Sequence, residues 1–68
     1  MDIKIRDYII NNFKDSELSE LKSSIEESVK NEDEITLPGL GVMFEILWKH
    51  SDKIMRDEIL KILHENMK

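Results

Sequence analysis

Sixty-eight residues, ten Lys and Arg against fifteen Asp and Glu, a net charge of −5 and no cysteine leave room for one small domain and exclude disulfides and thiolate metal sites. With 40% hydrophobic and 37% charged residues, the composition is that of a folded soluble chain rather than a disordered one. The longest apolar run, residues 37–48, contains Glu45 and falls short of the ~20 residues that span a bilayer, so no membrane role is expected.

Asp2, Lys4, Arg6 and Asp7 interrupt the N-terminus; no secretory leader is expected there, and the reading is cytoplasmic. The excess negative charge sits in one place. Residues 14–34 carry Lys14, Lys22 and Lys30 against eight Asp and Glu, while the segments on either side balance. Affinity for nucleic acid backbones comes from basic residues that displace counterions. Without a basic patch, direct coating of DNA is not expected.

The first element follows Asp2, a good N-cap, through Ile5, Tyr8, Ile9 and Phe13 at helical spacing. Asn11 and Asn12 weaken its end. The second follows Asp15 or Ser16 as cap. Leu18, Leu21, Ile25 and Val29 form a narrow apolar stripe, with Glu17, Glu20, Glu26 and Glu27 largely off it. These carboxylates read as a solvated face or as a surface for a basic partner. Residues 31–34, Asn-Glu-Asp-Glu, end this helix and begin a linker.

Residues 37–48, Leu-Pro-Gly-Leu-Gly-Val-Met-Phe-Glu-Ile-Leu-Trp, admit three readings. As a strand, the segment places Pro38 in the ladder and leaves Gly39 and Gly41 bare on one face; that is tolerable for residues 34–37 and poor beyond. As a phosphate-binding loop, it lacks the longer glycine-rich turn and the closing Lys-Ser or Lys-Thr. As a helix, it has Thr36 or Leu37 as N-cap and Pro38 at the first position, where a missing N–H costs nothing. The helix is the favoured reading, with a strand over 40–48 the competitor. Leu40, Phe44, Leu47 and Trp48 then share a face. The segment is apolar nearly all round, so it is expected to be central and buried. The glycines allow another element to pack closely, Trp48 anchors a core or an interface, and Met43, Met55 and Met67 fill gaps.

The fourth element starts at Ser51 as cap, with Asp52, Asp57 and Glu58 early. Met55, Ile59, Ile62, Leu63 and Met67 share a broad face. The expected architecture is all-α: one domain over residues 1–68, a bundle of three to four short helices around a central apolar helix from Pro38 to His50.

No constellation for chemistry emerges. His50 and His64 stand fourteen positions apart without metal-ligand spacing. The serines at 16, 19, 23, 24 and 28 lie along one helix and read as caps and polar-face residues. No catalytic, cofactor-binding or metal-binding residue is assigned. The candidate packing or interaction residues are Leu37, Pro38, Gly39, Leu40, Gly41, Phe44 and Trp48.

The segment Leu-Pro-Gly-Leu-Gly-Val, followed by Phe44, Glu45 and Trp48, resembles the hallmark of the I-type small, acid-soluble spore proteins. The N-terminal Met-Asp-Ile-Lys-Ile-Arg-Asp-Tyr-Ile-Ile-Asn-Asn and the acidic amphipathic middle fit the same layout, so the likeness covers nearly the whole chain. It implies a minor, non-enzymatic protein made in the forespore and stored in the spore core. The partner would be a spore component or a protein; separately, a chain this small is expected to pair with a second copy as a homodimer to cover its apolar surface. A weaker likeness runs from Ile35 to Phe44. After two comparable helices, it is similar to the Gly-Phe-Gly-x-Phe strand of the HU-type histone-like proteins, but it departs in the spacing of Gly41 to Phe44, in Pro38 and in lacking basic arms. A truncated, armless nucleoid-associated module and a generic acidic protein-interaction domain are the alternatives.

Overall fold

A computed structural model describes residues 4–67. Four α-helices occupy the described residues, α1 (Ile5–Phe13), α2 (Leu18–Asn31), α3 (Leu37–Lys49) and α4 (Lys53–Asn66), with a 3₁₀ turn at Glu34–Thr36 before α3. No strand occurs among the described residues, and the fold is the expected all-α bundle. Helices of 9 to 14 residues are marginal alone in water. Their persistence depends on ends that are satisfied and faces that are covered.

The ends are closed differently from the simplest reading. Glu17, not Asp15 or Ser16, caps α2 in a reciprocal capping box with Glu20. The Glu17 N–H donates to the Glu20 carboxylate at 3.4 Å. Asp52, not Ser51, caps α4 and accepts from the Met55 N–H at 2.8 Å. Ser51 instead turns its hydroxyl back to donate to the Leu47 carbonyl in the last turn of α3. The expected cap of α1, Asp2, lies outside the described residues. Residues 34–37, open to a strand reading, form the 3₁₀ turn. Asp33 holds that turn by accepting from the Ile35 N–H at 3.0 Å, while the Thr36 hydroxyl donates to the Asp33 carbonyl at 2.7 Å. Thr36 is then the N-cap residue of α3. The helix starts one residue before Pro38 and ends at Lys49, with His50 as its C-cap.

α2 ends on Glu32 in the left-handed region at φ 50°. That conformation is usually filled by glycine, and a side chain there is strained.

The closest helix pair is α1 against α3. Gly39 permits it: a Cβ there would stand 3.3 Å from Ile9 Cδ1. Gly41 has open space where its Cβ would be, so only one of the two glycines serves close packing. Across the same pair, Arg6 on α1 grips Glu45 on α3.

The expectation of a buried α3 is not met. The helix is central, but Val42, at 8% exposure, is the one buried side chain among the described residues. Phe44, Ile46 and Leu47 stay substantially exposed. Tyr8, which shares the expected apolar face of α1, points to solvent. Met43 is half-buried, but Met55 and Met67 are exposed and fill no gap within the chain. The physical reason is scale. Four short helices supply too few neighbours to surround one that is apolar on every side. The radius of gyration, 13.3 Å, exceeds the ~11 Å of a compact chain of this length.

Candidate functional site: an open apolar groove over the central helix

α3 has two faces of different character. Towards α1 it carries Gly39, Val42 and Glu45. The Arg6 guanidinium donates from Nε to Glu45 Oε1 at 2.7 Å and from Nη2 to Oε2 at 2.9 Å, the two-pronged geometry that suits an arginine and a carboxylate. Lys49, one turn on, stands 3.8 Å from Glu45 Oε1. The hydrogen bonds from Arg6 hold the Glu45 carboxyl below its ordinary value. The positive charges of Arg6 and Lys49 add to this and partial desolvation opposes it. Reciprocally, the hydrogen bond to Glu45 and its charge raise Arg6. Pro38, Gly41 and Ile5 join this pair around a small recess of about 280 Å³.

The other face of α3 forms the floor of a larger groove of about 570 Å³. Leu40, Phe44 and Leu47 come from α3. α1 supplies one wall through Ile9 and Phe13, and α2 supplies the other through Leu21 and Ile25. These two are the middle of the α2 apolar stripe. Leu18 and Val29 at its ends are exposed. The one charged side chain lining the groove among the described residues is Lys14.

At the far end of the groove floor, Trp48 is half-buried and stacks on Phe44, with ring centroids 6.1 Å apart and planes inclined by 26°. Arg56 of α4 lies over the indole, its guanidinium carbon 5.2 Å from the ring centroid. The same guanidinium donates through Nε to the Trp48 carbonyl at 2.9 Å. This clamp fixes the start of α4 to the end of α3.

The seven residues marked in the sequence are therefore divided. Leu40 and Phe44 line the groove, and Trp48 extends it through its stack on Phe44. Gly39 faces α1, Pro38 and Gly41 border the small recess, and Leu37 is exposed. The groove also uses Leu21 and Ile25, which sequence periodicity marked as apolar without naming what they face. The Arg6–Glu45 pair spans 39 positions and was missed. Its available signal was Glu45 itself, a lone carboxylate in an apolar helix, which calls for a cation from elsewhere in the chain.

His50 and His64 are both exposed. Among the described residues no group of three or more His, Asp and Glu side chains is placed to hold a metal ion, and no helix is long and apolar enough to cross a membrane. The helix over residues 37–49 also counts against the HU-like alternative, which rests on Gly39, Gly41 and Phe44 and which a strand at 40–48 would have favoured.

Sequence relationships decide the family. The sequence model of the family described as Small, acid-soluble spore protein I matches residues 3–67. The chain belongs to that family. It is similar to the Small, acid-soluble spore protein I of Bacillus velezensis, 35% identical over 68 residues, covering 100% of this chain and 96% of the relative. The Bacillus subtilis protein of the same name is 34% identical over 68 residues, with the same two coverages. That of Shouchella clausii is 37% identical over 59 residues, covering 87% of this chain and 86% of the relative. No solved structure matches the chain.

Proposed function

We propose that this chain is a non-enzymatic, minor protein of the dormant spore, made in the forespore and stored in the spore core, where it acts structurally or by binding. The observation that carries the reading is end-to-end similarity to relatives named as small, acid-soluble spore proteins, at 34–35% identity over all 68 residues. The surface chemistry supports a role in contact. α3 offers an uncharged apolar floor, and Glu20, Glu26 and Glu27 of α2 lie exposed outside the groove. The acidic balance, concentrated at residues 14–34, argues against direct coating of DNA, whose backbone would repel that surface. A spore component or a protein is the partner this reading expects.

The test is an immunoblot of dilute-acid extracts from vegetative cells, sporulating cells sampled over time and purified spores of the source organism, with forespore and mother-cell fractions separated. The expected result is signal that begins in the forespore and persists in the spore core. Abundant signal in growing cells, or signal confined to the mother cell, would overturn the reading.

A further inference from the structure

We infer that the groove over α3 is the interface through which two copies of this chain form a twofold dimer. The first ground is area. The chain exposes 6314 Å², whereas a folded monomer of 8.1 kDa exposes about 4,500 Å². The surplus, about 1,800 Å² per chain, exceeds the ~800 Å² that each partner buries in a standard specific interface. A second copy laid on the groove would account for part of it.

The second ground is contiguity: Leu18, Ile35 and Ile54 are more exposed but lie outside the groove, whereas part of the exposed apolar surface is gathered within it. Phe44, Ile46 and Leu47 are adjacent on the floor and each is more than 40% exposed. Ile10 adds to the α1 wall at a similar exposure. A contiguous apolar surface of this kind marks an interaction site. The same patch meeting itself across a twofold axis is the simplest closed arrangement, because each apolar wall then faces an apolar wall.

The third ground is charge. Two chains of −5 each repel at long range, so a stable contact must keep their acidic segments out of the interface. The groove does so. Its one charged lining residue is Lys14, and the carboxylates of α2 do not border it. A basic protein partner would be drawn to the outer face of α2 instead, away from this surface. The inference does not depend on the proposed spore role, and either can fail without the other.

The experiment is sedimentation equilibrium on the full chain, with two single substitutions. Leu47→Glu places a carboxylate on the groove floor at a side chain 48% exposed, and Ile54→Glu does the same on α4 at one 76% exposed. Circular dichroism checks that each variant keeps its helices. The expected result is a dimer for the unmodified chain at tens of micromolar. Leu47→Glu should raise the dissociation constant at least ~100-fold, because symmetry introduces the unpaired charge twice. Ile54→Glu should leave it within about twofold, since the inferred interface does not contain α4.

A second measurement avoids variants altogether. Isotope-filtered NOEs on an equal mixture of labelled and unlabelled chain should connect the methyls of Ile10, Ile25 and Leu47 to the other copy, and should not connect Ile54. A monomer at high micromolar concentration, an undisturbed dimer in Leu47→Glu, or intermolecular NOEs centred on α4 would each overturn the inference. Binding of a different protein to the groove of a strictly monomeric chain would do the same.

Discussion

α2 is the helix most easily read from sequence, and α3 is the one most firmly held in the structure. α2 has a clean apolar stripe, carboxylates off the stripe and a capping box, yet only Leu21 and Ile25 of that stripe reach the groove. α3 has a proline, two glycines and apolar residues on every side, and it is joined to α1 by a glycine contact, a buried valine and a two-pronged ion pair. Amphipathicity tells which face of a helix avoids water. It does not tell how much of that face finds a neighbour.

The largest expected effect breaks the α1–α3 side directly. Gly39→Leu should destabilise the fold by ~3 kcal/mol, because even a Cβ would stand 3.3 Å from Ile9 Cδ1 and the rest of the leucine would force the helices apart. Urea unfolding followed by circular dichroism reads this, and a loss well under 1 kcal/mol would show that the contact is slack. Ile25→Ala is the counterpart on α2. It should cost only ~1 kcal/mol, below the 2–5 kcal/mol of a fully enclosed isoleucine, because Ile25 is half-buried. A loss as large as that of Gly39→Leu would erase the contrast between the two regions.

Two substitutions sharpen it with gains. Glu32→Gly relieves the left-handed residue that ends α2 at φ 50°, and should stabilise by ~0.5–1 kcal/mol. Gly41→Ala should stabilise by a similar or smaller step, ~0.5 kcal/mol, read as a higher urea midpoint, since nothing stands within 4 Å of its would-be Cβ. Set against Gly39, it separates the glycine that packing requires from the one it does not.

The smallest effect concerns Arg6 and Glu45, an exposed pair subject to screening. Arg6 lowers the folded-state value of Glu45. The stability this contributes is fully present above the ordinary carboxylate range and is lost as pH falls through the lowered folded value. Arg6→Gln should therefore be less stable than the parent at neutral pH and converge with it in strong acid, as read from urea midpoints. A difference independent of pH would assign the loss to packing of the arginine stem.

The order and type of the helices were legible because each rests on local signals: apolar residues at spacings of three and four, an early proline in α3, an Asp or Ser before α4. The caps were less so. Ser51 and Asp52 are adjacent and equally suited by type, and geometry alone decides that Asp52 caps while Ser51 bonds backwards to Leu47. Glu17 is a poor cap by type and succeeds through its reciprocal partner Glu20. The site was half legible. Leu40, Phe44 and Trp48 could be grouped from one helical face, but the walls from α1 and α2 depend on how helices far apart in sequence are set together. The open state of the groove follows from chain size rather than from any residue in it.

The most direct test of the central claim, that α3 is anchored on its α1 side while α2 is loosely held, is residue-resolved amide hydrogen exchange in dilute solution. The account predicts the slowest exchange at Val42–Ile46 of α3 and Ile9–Phe13 of α1, with Leu21–Val29 of α2 faster by ~10-fold or more. Equal or greater protection along α2 would contradict it.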